Sequence, residues 1–94
     1  MPYIEPTRRH DLDAEIEALA GRIYGPGALH YAIARLLHLY ARRYHSLNYD
    51  RLNEVVGVLA GAQLEFYRTV IAPYEDKKRA EHGPVSELDG TIHP

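Results

Sequence analysis

Residues 48–78 read NYDRLNEVVGVLAGAQLEFYRTVIAPYEDKK, and this stretch decides the fold. Leu52, Val55, Val56, Leu59, Phe66 and Val70 recur at spacings of three, four and seven, the period of a helix with one apolar face. Asp50 stands just ahead of that pattern, where a carboxylate can accept from the orphan amides of a first turn. Gly57 and Gly61 are four apart and so share one face. A glycine inside a helix costs about 1 kcal/mol against alanine, so two of them predict close approach of another backbone or of a flat ligand. Pro73 lacks an amide hydrogen, and the spacing predicts that the helix kinks or ends near residues 70–72.

Working outward, the 94 residues predict one small domain, residues 1–94. A chain of that size buries only about 60–65% of its unfolded surface, and oligomerisation is the usual remedy where disulfides and metals are missing. Cysteine is absent, which removes a disulfide framework and a Cys-based zinc site and favours the cytoplasm. No run of apolar residues approaches the roughly 20 needed to cross a bilayer, so no membrane partner is expected. The net charge of −2 argues against a general DNA or RNA binder. Eight tyrosines beside one phenylalanine and no tryptophan suit a half-wet interface or a ligand pocket.

On the N-terminal side, residues 1–6 (MPYIEP) are expected to form an extended arm whose Tyr3 and Ile4 dock on a neighbour, followed by a short turn over 7–11. A helix is predicted from Asp13 to Tyr24, with Leu12, Ile16, Leu19 and Ile23 on one face and Asp13, Glu15 and Glu17 in its first turns. Gly25-Pro26-Gly27 breaks the pattern. A second helix follows from Ala28 to Tyr44 or His45, with Leu29, Ile33, Leu36, Leu37, Tyr40 and Tyr44 inward. Its opposite stripe, Tyr31, Arg35, His38, Arg42 and His45, carries no acid and forms a basic ridge. Residues 46–49 are a turn. Past Pro73 a short fourth helix runs to about Glu81 and ends at His82-Gly83-Pro84, leaving residues 85–94 as a loose tail. The expected architecture is an all-α helical hairpin or bundle of three to four helices, kinked at Pro73 and oligomeric.

For chemistry, His30, His38 and His45 are eight and seven apart, whereas a helical metal pair needs adjacent turns, so no metal and no cofactor is expected. Glu54 with Glu65, or Glu65 with Asp76, could be read as paired carboxylates, but solvated surface charge explains them equally well. No nucleophile elbow, P-loop or dinucleotide fingerprint occurs, and the chain is not expected to be an enzyme. Tyr67, Arg68, Tyr74, Lys77 and Lys78 fall within twelve residues around the proline. Tyrosine faces stack on bases while Arg and Lys take phosphates, the equipment for a small anionic nucleotide. The plainer alternative is a subunit interface with local ion pairs. Gly57 and Gly61 likewise fit a close helix crossing, within or between subunits.

Several blocks together resemble a family of small proteins of unknown function found in tailed phages and bacterial genomes. They are Met1-Pro2-Tyr3-Ile4, Leu29-His30-Tyr31, Asn53-Glu54-Val55-Val56-Gly57-Val58-Leu59, Leu64-Glu65-Phe66-Tyr67-Arg68 and residues 72–78, APYEDKK. The resemblance covers about residues 1–85. Two departures are His30, where that family has asparagine, and Glu81-His82-Gly83-Pro84 in place of Glu-Asn-Gly-Asp. The setting implies similarity in size, class and oligomerisation to phage sponge proteins that sequester the cyclic nucleotide signals of CBASS anti-phage defence. The resemblance thus implies a homo-oligomer (dimer or tetramer) in the cytoplasm of a bacterial host, holding a cyclic dinucleotide or related signal between subunits without cleavage. Tyr67 and Tyr74 would stack on bases, and Arg68, Lys77 or Lys78 would take phosphates. Arg8, Arg9, Tyr31, Arg35 and Arg42 are second choices brought in from another subunit. The alternative is an oligomeric module that docks on a host or virion protein through the basic ridge.

Overall fold

The structure, a computed structural model, describes residues 4–43 and 47–88. Among these the chain is all-helical, without strands. Helix α1 spans Pro6–Ala20 and α2 spans Pro26–Ala41. The third helix runs without interruption from Tyr49 to His82; it comprises α3 (Tyr49–Phe66), a π-helical turn (Tyr67–Ile71) and α4 (Ala72–His82). Contacts within the chain divide it into two units, Met1–Val55 and Val56–Pro94.

In the first unit, α1 begins at Pro6 rather than Asp13. A proline at the first helical position has its φ already set and gives up only an amide that would lack a partner anyway. Residues 7–11, expected as a turn, are therefore helical. The early start has a second effect: Asp13, Glu15 and Glu17 sit in the middle of α1, and its first turn holds no acid. Their expected role at the helix dipole is thus lost. Of the expected arm, Glu5 is extended and the Ile4 carbonyl accepts from Arg9 Nε at 3.0 Å, while residues 1–3 lie outside the described residues. The helix stops at Gly21, short of Tyr24, and closes with Arg22 and Ile23 bonding back to Leu19 and Ala20.

Gly25 takes φ 90°, open to glycine and strained for other residues, and hands the chain to Pro26 at the start of α2. The Gly-Pro-Gly break thus lies at the start of α2 itself, and α2 ends at Ala41; the proposed extension to Tyr44 or His45 falls outside the described residues. At the start of α3, Asn48 provides the cap that was expected of Asp50. Its Oδ1 accepts from the Arg51 amide at 3.0 Å, while Asp50 lies inside the first turn. A tertiary hydrogen bond links α2 to α3 in this unit: Tyr40 Oη donates to Glu54 Oε1 at 3.2 Å.

In the second unit the helix does not end at Pro73. An α-helical Pro73 would press its ring on the Thr69 carbonyl and leave that carbonyl without a donor. The backbone instead widens, and the Ala72 amide donates to the Tyr67 carbonyl five residues back. Thr69 Oγ1 donates to the Glu65 carbonyl at 2.8 Å, a side-chain bond that also loosens the regular ladder. The helix then continues to His82 and is closed by Gly83 at φ 87° ahead of Pro84. The Leu88 amide donates to Ser86 Oγ at 3.1 Å.

Because the helix passes through Pro73, it is 34 residues long, and by length and composition it is apolar enough to cross a membrane. No described residue is buried in either unit. The inward faces expected for a bundle are present as stripes but uncovered: Ile16 is 57% exposed, Leu36 56% and Val56 64%.

Candidate functional site

The strongest side-chain constellation surrounds the π turn. Tyr67 Oη donates to Glu75 Oε1 at 3.1 Å. In a regular α-helix residues eight apart lie about 80° apart around the axis. The π turn absorbs one residue, so the span behaves as seven and the two groups come within about 20° of each other. The hydrogen bond to the carboxylate, then its charge, hold the Tyr67 phenol above its ordinary pKa of 10.0, with smaller contributions from desolvation and Asp76.

The same rotation separates residues that the sequence grouped together. Lys78 sits one turn beyond Tyr74, with Nζ 5.6 Å from the ring centroid, and pairs with Glu81 at 3.5 Å. This second cluster lies about 100° around the helix from the Tyr67–Glu75 face, and Lys77 projects on the far side from Tyr67. Arg68 follows Tyr67 on the flank. The five residues expected to converge are therefore spread over three faces of one helix. Arg68 and Lys77 have no hydrogen-bond or ion-pair partner among the described residues. The rings of Tyr67 and Tyr74 are exposed.

The second-choice residues belong to the first unit. Arg8 lies in the first turn of α1, and Tyr31 and Arg35 are one turn apart on α2, all exposed. Arg9 is committed to the Ile4 carbonyl. Arg42 caps the end of α2, and His45 lies outside the described residues.

Gly57 faces open space, with no atom within 4 Å of where a Cβ would stand, so its own chain does not require a glycine there. Gly61 is half-buried. Among the described residues no group of three His, Asp or Glu side chains is placed to hold a metal.

Three features escaped the sequence: the Tyr67–Glu75 bond, the Tyr40–Glu54 bond and the Asn48 cap. The cap had a signal, since Asn is as good a capping residue as Asp and stands two positions earlier. The Tyr67–Glu75 pair had none, because a spacing of eight is not a helical neighbour until a π turn intervenes.

The arrangement offers flat aromatic faces with unpaired cations beside them and carboxylates already engaged by Tyr67 and Lys78. Neither a curated protein nor a solved structure matches the chain. The family described as Domain of unknown function (DUF6899) matches over residues 1–85, and the chain belongs to it.

Proposed function

We propose that the protein is a helical homo-oligomer, a dimer or tetramer, that sequesters an anionic nucleotide signal of the cyclic dinucleotide class between its subunits without cleaving it. Assembly is the remedy for a chain in which no described residue is buried, since folding must offset roughly 1–2 kcal/mol of backbone entropy per residue. A bend at Pro73 and a close crossing at Gly57 and Gly61 belong to the same assembly. The observation that carries the ligand is Arg68, a guanidinium with no partner among the described residues, beside an exposed Tyr67 ring whose hydroxyl is tied to Glu75. Because Tyr67, Tyr74 and Lys77 occupy different faces of one helix, a ligand that meets them all draws them from different subunits. Tyr31, Arg35 and Arg8 complete the same ring of contacts.

We place this activity in the cytoplasm of an infected bacterium, as a counter to CBASS signalling; the resemblance to phage proteins supports that reading. A bilayer is the poorer occupant for the long helix. Between residues 55 and 72 its charged residues are Glu65 and Arg68, and a charge at the centre of a span costs about 2.5–3.5 kcal/mol.

The test is thermal unfolding against a panel of cyclic di- and trinucleotides. A ligand at about 100 times its dissociation constant adds roughly 2.7 kcal/mol. Recovery of that ligand intact after heating supports sequestration, whereas a degraded ligand indicates an enzyme. Arg68→Ala is expected to abolish binding and leave the oligomer in place; unchanged affinity would remove Arg68 from the site.

A second reading is favoured by the exposed, acid-free ridge of Tyr31, Arg35, His38 and Arg42 on α2. Here the oligomer docks on an acidic surface of a host or virion protein. Arg35→Ala with Arg42→Ala should weaken a purified partner, and no nucleotide should shift unfolding.

A further inference from the structure

In Val56–Pro94 an apolar seam runs along the helix through Val56, Leu59, Phe66, Val70, Ile71 and Tyr74, all of them exposed. At 100° per residue, with one residue absorbed by the π turn, all six fall within about 60° of Leu59. The π turn keeps the far end of the seam apolar. In an unbroken α-helix Ile71 would stand about 120° from Leu59, and Lys77 would lie in line with it. The wider turn returns Ile71 to about 40° and moves Lys77 about 100° away. Glu65 and Arg68, the charged residues between 55 and 72, both lie more than about 100° from Leu59.

Two features identify the occupant of this seam. The exposed parts of the six side chains amount to about 600 Å² per copy, near the roughly 800 Å² per partner that a standard interface buries. The seam is also nearly the same read in either direction from Gln63. Val56 stands seven residues before Gln63 and Val70 seven after; Leu59 stands four before and Phe66 three after. A helix packed antiparallel on its own copy across a two-fold axis needs that symmetry. Gln63 itself lies about 40° from Leu59, exposed and with no hydrogen bond among the described residues. Against a foreign apolar face its carboxamide would be left unsatisfied. Against its own copy it both donates and accepts, and one polar pair of this kind fixes the register of an apolar seam.

We infer that residues 56–74 of two copies pack antiparallel along this seam, about a two-fold axis at Gln63, with Val56 of one copy against Val70 of the other. The inference rests on the homo-oligomer proposed above and names an interface within it. Arg68 lies about 160° from Leu59 and so stays on the outer face of the pair. A ligand held by Arg68 is then enclosed by a second contact, between pairs.

The experiment is disulfide trapping, because the chain has no cysteine and a single introduced thiol reports one position. Under mild oxidation Gln63→Cys, at the axis, should form an intermolecular disulfide at least about 10-fold faster than Glu65→Cys, off the seam. Ala62→Cys, beside the axis, is the second reporter should Gln63→Cys lose helix content in circular dichroism. Val56→Cys and Val70→Cys should cross-link with each other in an equimolar mixture and not when oxidised alone. Analytical ultracentrifugation of the wild-type chain completes the set. A monomer across the accessible concentration range overturns both the oligomer and this interface. If the wild-type chain is an oligomer and the thiols at 62 and 63 react no faster than that at 65, the oligomer stands and the seam is overturned. Rapid cross-linking of Val56→Cys with itself would mean a parallel pair and overturn the antiparallel axis.

Discussion

The two units of this chain differ in how far their side-chain bonds reach. In Val56–Pro94 the long helix is bonded along its own length: Tyr67 to Glu75, Thr69 to the Glu65 carbonyl and Lys78 to Glu81. In Met1–Val55 the acids of α1 have no described bond, and the bond between helices runs from Tyr40 on α2 to Glu54 on α3. Both units leave an apolar stripe exposed, and both leave charged groups open: the acids of α1 in one, Arg68 and Lys77 in the other. The lesson is that helices can complete their local hydrogen bonding while no described side chain is buried.

The largest test strikes Met1–Val55. Ile16→Asp puts a carboxylate on the apolar stripe of α1. If that stripe is covered by another copy, the loss is about 3 kcal/mol or more per copy, from forfeited burial and an unpaired charge. Sedimentation should show dissociation and circular dichroism a fall in helix content. A fully assembled variant would mean that α1 is an exposed helix and that the contrast between the units is only apparent.

Pro73→Ala tests Val56–Pro94. Removing the ring allows the π turn to close into an α-helix, and thermal stability should rise by about 1–2 kcal/mol. That is less than the roughly 3 kcal/mol cost of an interior proline, because the wide turn already relieves part of it. Closure would also rotate Glu75 away from Tyr67. The phenol titration, followed by ultraviolet absorbance, should then fall back toward 10.0. The sign follows from a raised pKa: the Tyr67–Glu75 bond contributes in full below the ordinary phenol value and is lost as pH climbs through the raised one. A titration unmoved by Pro73→Ala would separate the bond from the π turn.

Asn48→Ala removes the cap of α3, with an expected loss of about 1 kcal/mol, measured by thermal or urea unfolding. Asp50→Ala should cost less, since Asp50 lies within the first turn rather than at the cap. The smallest effect is Lys78→Ala. Its pair with Glu81 and its approach to Tyr74 are exposed, so stability should change by no more than about 0.5 kcal/mol. A larger loss would show that Lys78 is covered in the assembly.

Helix identity was legible in periodicity alone. The stripes of Leu29, Ile33 and Leu36, and of Leu52, Val55 and Leu59, fall on helices as their spacing predicts. Glycine at 25 and 83 marked real ends for the same reason, since φ near 90° is open to glycine and strained elsewhere. Boundaries were less legible. Pro6 ends an expected arm in the sequence, yet proline is a good first residue of a helix; Pro73 predicts a kink or an end, yet a π turn carries the helix past it.

The residue types of the candidate site, tyrosines beside cations around a proline, were visible in the sequence. Their distribution over faces was not. Face assignment assumes a constant 100° per residue, and the π turn breaks that constancy between Tyr67 and Ile71. By itself, then, the sequence determined that the chain is helical, where its apolar stripes lie and which charges flank them, because these follow from neighbours within four or five residues. Only the tertiary structure decided that Tyr67 meets Glu75, that Tyr40 meets Glu54 and that the stripes stay uncovered within the chain. Those outcomes depend on backbone register and on contacts between distant segments, which local spacing does not encode.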